Sequence, residues 1–228
     1  MRLIGCVPTQ KFVTDASLVL TLMRLVKKKK TSVLMYPEAG YSFDGRASIL
    51  PEYLGNFVKR LGASVLLIRS DAGAYLRDPL YNGLRLRKVK AGADLTCLFT
   101  REEIRSLSGE EIQGRLAEAF SFDHFRVQQE EKIAITEKSR ATGLERVLYR
   151  CPHCEKDGVM KGEGESLFCL SCGARYHLNE YGSLSREDGK ALFCHIPDWY
   201  DYERESVRKE IEEGRYFLHV PVKVGVIC

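Results

Sequence analysis

Apolar positions along the chain keep two rhythms. Leu3-Ile4-Gly5-Cys6-Val7 is a short apolar run at the start. Asp15 then precedes Leu18, Leu22, Leu25 and Val26, spaced i, i+4, i+7 and i+8, which predicts a capped amphipathic helix. Lys27–Lys30 follow at its C-terminal end. Ser32-Val33-Leu34-Met35-Tyr36 reads as a buried strand, and residues 37–48 as a polar loop beyond it. Pro51 suits the first turn of a helix carrying Leu54, Phe57, Val58 and Leu61, closed by Gly62. Residues 64–68 read as another buried strand. Strand, helix, strand, helix, strand predicts an α/β fold, a mostly parallel sheet flanked by helices. Functional loops of such sheets lie beyond the carboxyl ends of strands, where residues 37–48 fall.

Further on, residues 83–90 alternate, with Leu84, Leu86 and Val89 among Arg85, Arg87 and Lys88. Ser108-x-x-Glu111 is a capping box ahead of Ile112, Leu116 and Phe120. Residues 128–146 are charged and poor in apolar side chains, which reads as a linker or solvated helix. A helix is expected after Pro197. Leu218, Val220, Val222, Val224 and Val226 alternate as a final strand.

The 228 residues are 44% hydrophobic and 29% charged, ordinary values that exclude a disordered or fibrous chain. The formal net charge of +4 is too small to imply nucleic-acid binding by itself. No apolar run approaches the ~20 residues of a membrane span. The opening MRLIGCVPTQK has no long apolar stretch, which argues against a secretory signal. A reducing cytoplasm is expected, with peripheral contact at the inner membrane face as an option. Eight cysteines occur, at 6, 97, 151, 154, 169, 172, 194 and 228. A chain this long needs no disulfide staples.

Cys151-Pro-His-Cys154 and Cys169-Leu-Ser-Cys172-Gly173 make two CxxC knuckles. Two knuckles on neighbouring hairpins complete a tetrahedral four-thiolate site, which ligand softness assigns to zinc. Strand-like runs at 147–150, 166–169 and 175–178 match a zinc ribbon. With no open coordination position, such a zinc is structural. His153 and His177 are read as bystanders. Glu155, Asp157, Glu163, Glu165 and Glu180 deny the module a basic stripe, which argues against nucleic acid. Cys6, Cys97, Cys194 and Cys228 are expected as buried small hydrophobes.

Tyr36-Pro37-Glu38-Ala39-Gly40-Tyr41-Ser42 resembles the Phe-Pro-Glu-Gly-Thr-Arg-Ser block of the glycerolipid acyltransferases, typified by 1-acylglycerol-3-phosphate O-acyltransferase. Gly5-Cys-Val-Pro-Thr-Gln-Lys11 resembles the block that delivers a basic residue to the substrate phosphate. Residues 61–68 resemble the approach to the fourth block, without its proline. The resemblance covers roughly residues 3–80, and a C-terminal zinc ribbon is a known variant of such enzymes. It implies an acyltransferase-like α/β domain over 1–127, a linker or solvated helix over 128–146, a zinc ribbon over 147–183 and a helix-strand segment over 184–228. It further implies transfer of a fatty acyl group from acyl-CoA or acyl-carrier protein to lysophosphatidate or a related glycerolipid. Glu38, Gly40 and Ser42 would shape the acceptor pocket, and Lys11 and Arg46 would meet phosphate.

Ala39, Gly40 and Tyr41 stand where the family has Gly, Thr and Arg. The family's His-x4-Asp base is absent: five residues after His124, His153, His177, His195 and His219 come Gln129, Gly158, Gly182, Tyr200 and Val224. Without a base to take the acceptor's proton, attack on the thioester is severely slowed. The expectation is a member truncated at its N-terminus and inactive alone, from a fragment, a mis-set start or a split or decayed gene. The rival is a non-catalytic zinc-ribbon protein that binds protein or nucleic acid.

Other candidates fall to simpler readings. Gly40-Tyr41-Ser42-Phe43-Asp44 lacks the last glycine of a nucleophile elbow. Lys27–Lys30 would attract anionic lipid or simply complement a helix dipole, the dipole being the plainer account. Arg85 and Arg87 read as a solvated face rather than a phosphate groove. Trp199, Tyr200 and Tyr202 read as core packing rather than a bilayer contact.

Overall fold

The computed structural model describes residues 6–7, 16–38, 40, 42–70, 75–76, 86–90 and 92–219. The chain is mixed α/β, with helices and two small antiparallel sheets among the described residues. It divides into two compact units. The first comprises the chain up to Ser42, Arg46–Asp71 and Gly92–Phe122; the second comprises Phe43–Gly45, Ala72–Ala91 and the chain from Asp123.

In the first unit, helix α1 (Ala16–Met23) buries Leu22 and widens into a π-helical turn over Arg24–Lys28. Its expected cap, Asp15, lies outside the described residues. Helix α2 (Leu54–Leu61) buries Leu54 and Val58 and ends at Gly62, as the pattern predicts. Strand β1 (Val65–Ser70) pairs antiparallel with β2 (Ala93–Phe99). Two short helices follow, α3 (Arg101–Ser106) and α4 (Gly109–Phe120). The predicted Ser108–Glu111 capping box forms, with Glu111 N donating to Ser108 Oγ at 3.1 Å and Ser108 N to Glu111 Oε2 at 2.7 Å. Thr100 and Glu103 make a second such box on α3.

Leu50, Leu54, Val58, Phe99, Ile104, Ile112 and Leu116 are the buried core of this unit. Helices α2 and α4 cross at Gly55, where a Cβ would stand 2.2 Å from Gly109 O. The bare backbone there lets Gly55 N donate to Gln113 Oε1 at 2.7 Å.

In the second unit, Asp123 accepts from Arg126 N and so caps helix α5 (His124–Glu130). A 3₁₀ turn at Leu144–Arg146 leads to a four-stranded meander. Its strands are β3 (Met160–Glu163), β4 (Ser166–Cys169), β5 (Arg175–Leu178) and β6 (Leu184–Arg186). Helix α6 (Ile196–Glu212) starts with Pro197 in its first turn, the place where a missing N–H costs nothing. Leu144, Leu148, Leu167, Tyr176, Ile196 and Trp199 are buried together, and the Tyr176 and Trp199 rings lie 4.8 Å apart. Trp199 therefore packs in the core, as expected.

Several expectations give way. Among the described residues no strand pairs in parallel: each sheet is built from antiparallel neighbours. Ser32–Tyr36 is irregular, and Leu34, Met35 and Tyr36 are 66%, 41% and 80% exposed. A buried parallel strand needs a partner on each edge and cover on each face; here no described strand lies beside it. Residues 128–146 are not a solvated linker. Gln128, Arg140, Ala141 and Leu144 are buried, because Arg140 pairs with Glu165 at 2.8 Å and donates to Leu178 O at 2.7 Å. Arg87 is buried rather than solvated, its segment held by Arg87 N donating to Leu76 O at 2.9 Å; Arg85 lies outside the described residues. The run at 147–150 packs as irregular core rather than a strand. Cys6, Cys97 and Cys194 are exposed, Cys97 because it faces outward from β2. Leu218 is exposed and irregular, and the rest of the predicted final strand, with Cys228, lies outside the described residues.

Candidate metal centre

Four sulfur atoms converge at one end of the second unit. Cys151 follows the buried Val147 and Leu148, and Cys154 lies a tight turn later. Cys169 ends β4, and Cys172 lies in the turn before β5. The two turns are built alike. Glu155 N donates to Cys151 O at 2.8 Å, and Gly173 N donates to Cys169 O at 3.0 Å. Both residues take left-handed backbone, with φ of +57° at Glu155 and +76° at Gly173. Gly173 does so freely, whereas Glu155 carries the steric penalty of its Cβ.

Cys151 Sγ lies 3.7 Å from Cys172 Sγ, and Cys154 Sγ lies 3.7 Å from Cys169 Sγ. All four sulfurs fall within 4.8 Å of one another. Tetrahedral thiolate ligation at ~2.3 Å requires sulfur–sulfur edges of about 3.8 Å. The donor set thus fits a metal ion. The N–H groups of Ser171 and Cys172 point at Cys169 Sγ, at 3.3 and 3.4 Å. Burial pushes the Cys151 thiol up to about 12. Burial also works against Cys169, but those two N–H donors bring it down to about 7. His153 is exposed, with Nδ1 3.5 Å from Arg186 Nη1, and His177 lies on β5; neither belongs to the cluster.

Helix α6 secures the residue next to the first ligand. Trp199 Nε1 donates to Arg150 O at 2.9 Å, and Arg150 N donates to Glu203 Oε1 at 2.8 Å. The Arg150 guanidinium bridges Asp157 and Glu210 at 3.0 and 3.1 Å. Glu203 is fully buried, and its Oε2 has no hydrogen-bond partner. Burial raises its carboxyl to about 8, although the Arg150 and Tyr149 amides oppose the shift. A second tie is His195 Nε2 to Asp123 Oδ2, at 2.7 Å. The charge alternation of 196–212 hides Glu203 among solvated glutamates, so pattern alone does not single it out. Asp123 and His195 lie 72 positions apart and carry no local signal.

The candidate substrate residues belong to the first unit and not to this centre. Glu38 is half-buried, and its Oε1 accepts from Ser48 N at 3.1 Å, closing the loop on itself. Gly40 is exposed; Ser42 and Arg46 are half-buried, and Ser42 Oγ is buried without a partner. Lys11 lies outside the described residues. No described helix is long and apolar enough to cross a membrane.

Comparison of the chain with protein-family models, with curated proteins and with solved structures gives no match.

Proposed function

We propose that Cys151, Cys154, Cys169 and Cys172 hold a structural zinc ion in a chain of the glycerolipid-acyltransferase type. The observation that carries the metal is the pair of 3.7 Å sulfur edges closed by two matching turns. Zinc supplies charge balance for four thiolates and a fixed junction of two turns, with no vacant position for chemistry. The acyltransferase part is supported by the Tyr36–Ser42 block, whose loop Glu38 folds back through Ser48. In this reading Glu38, Gly40 and Ser42 shape the acceptor pocket, Arg46 and Lys11 meet its phosphate, and acyl-CoA or acyl-carrier protein is the donor. No histidine here has an aspartate at the required spacing, so the chain alone transfers little or no acyl group.

Titration with a short-chain, monomeric lysophosphatidate tests this. Binding weakened in both Glu38→Ala and Arg46→Ala supports the reading; no binding, or binding indifferent to both, overturns it. Robust acyl transfer by the purified chain would overturn the statement that it is inactive alone. The second reading, a ribbon that binds a protein partner, is favoured by Leu170, which is 68% exposed between Cys169 and Cys172.

A further inference from the structure

We infer that Arg24, Lys27–Lys30 and the apolar stretch Leu34–Tyr36 form a docking surface for an anionic phospholipid bilayer. This deepens the acyltransferase reading by naming the surface through which the first unit meets its lipid phase. From Ala16 to Tyr36 the sequence holds five cations and no Asp or Glu. Arg24 and Lys27, Lys28, Lys29 and Lys30 are all exposed. Among the described residues no carboxylate pairs with any of them.

The backbone gathers these charges in one place. Lys29 N donates to Arg24 O at 3.1 Å and Thr31 N to Leu25 O at 3.0 Å, so the wide turn ends in a compact knot. Lys30 takes a left-handed φ of +56°, where glycine would be unstrained. Charge alone would suit a nucleic acid equally well. The neighbouring apolar side chains decide otherwise. Leu20, Leu34 and Tyr36 are 67%, 66% and 80% exposed, and Met35 is 41% exposed. Exposed Leu and Tyr beside lysines that no described carboxylate pairs is the composition of a surface that sits at headgroup level. Lysines hold the anionic phosphates, and the apolar tips enter the acyl boundary. A phosphate backbone would give those leucines nothing to touch.

The test is co-sedimentation of the full chain with vesicles of phosphatidylcholine alone, or of phosphatidylcholine mixed with phosphatidylglycerol, neither containing lysophospholipid. Selective binding to the mixed vesicles is expected. Each lysine near an anionic surface contributes about fivefold, so replacing all four (K27Q, K28Q, K29Q, K30Q) should weaken binding more than a hundredfold. Raising salt from about 0.1 to 0.5 M should weaken it more than tenfold. Leu34→Ser with Tyr36→Ser should weaken binding several-fold and leave the salt dependence intact. All these positions are exposed, and circular dichroism checks that each variant stays folded. Equal binding to both vesicle types, or to neither, overturns the inference. So does tight binding to RNA that the lysine variant loses and the Leu34/Tyr36 variant keeps. Because no lysophospholipid is present, failure here leaves the acceptor titration as an independent measurement on Glu38 and Arg46.

Discussion

In the second unit a meander, a helix and four cysteines close around Tyr176 and Trp199, neither of which keeps any appreciable exposure. In the first unit two strands lie side by side, and Leu66, Ile68 and Leu95 remain 59%, 57% and 66% exposed on one face of them. The two differ in what completes a sheet. A two-stranded ribbon is marginal by itself and depends on what covers it; α4 and α2 cover one side around Phe99 and Ile112. The meander has four strands, α6 against its core, and a point where two matching turns meet on sulfur. A small sheet can thus be finished by packing or by a ligand, and the two finishes fail differently.

Metal removal separates them most sharply. A structural zinc held as proposed by the four cysteines would carry on the order of 10 kcal/mol of apparent folding free energy. A strong chelator, or Cys151→Ser, should unfold the second unit while leaving the helical signal of the first. The chain has one tryptophan, Trp199, inside the second unit, so its emission should shift red in step with zinc release. Unchanged emission after complete zinc loss would show that packing alone finishes both units.

Large-to-small changes compare the cores directly. Trp199→Ala should cost about 3–5 kcal/mol and Ile112→Ala about 2–5 kcal/mol. Thermal melts followed by circular dichroism should show each change lowering only its own unit's transition. A shared transition shifted by both would merge the two units into one cooperative body.

Glu203 gives the second unit a pH dependence of its own. Its folded carboxyl is raised to about 8 from an ordinary value of 4.5. Between those values the native state holds the proton more tightly than the unfolded chain. Stability therefore falls as pH climbs through this window and levels off above about pH 8, by a few kcal/mol in all. Denaturant melts at pH 6.5–8.5 should show that decline in the second unit, and Glu203→Gln should flatten it. A rise in stability over this range would mean that Glu203 is ionised in the fold.

The smallest effect belongs to the first unit. Ser108→Ala removes a side-chain cap on α4 and should cost about 1 kcal/mol, read from the first unit's melt.

What was legible in the sequence follows the range of the interaction. The capping box at Ser108, the α2 helix ending at Gly62, the Ser166–Cys169 and Arg175–Leu178 strands and the CxxC knuckles are local, written within a few residues. The direction of strand pairing is not local. Val65–Ser70 shows the same apolar run whether its neighbour is parallel or antiparallel, and its partner Ala93–Phe99 is exposed along most of its length. Buried charge was equally hidden. Arg140 reads as solvent-facing because its acceptors, Leu178 O and Glu165, come from far along the chain, and Arg87 because nothing in its alternating charged segment marks it as buried. The Thr100–Glu103 box carries the same local signature as Ser108–Glu111 and is equally readable from the residues.

The His195–Asp123 hydrogen bond brings together two positions 72 residues apart, one opening α5 and the other opening α6. Everything between them is a closed excursion: the polypeptide leaves and returns at the same doorstep. Much of that circuit is pinned to the two helices, through Arg150 on Trp199 and Glu203 and through Glu180 O on Gln128, so tolerance to changes in length concentrates in exposed turns such as residues 187–190 and ends at those pinned points.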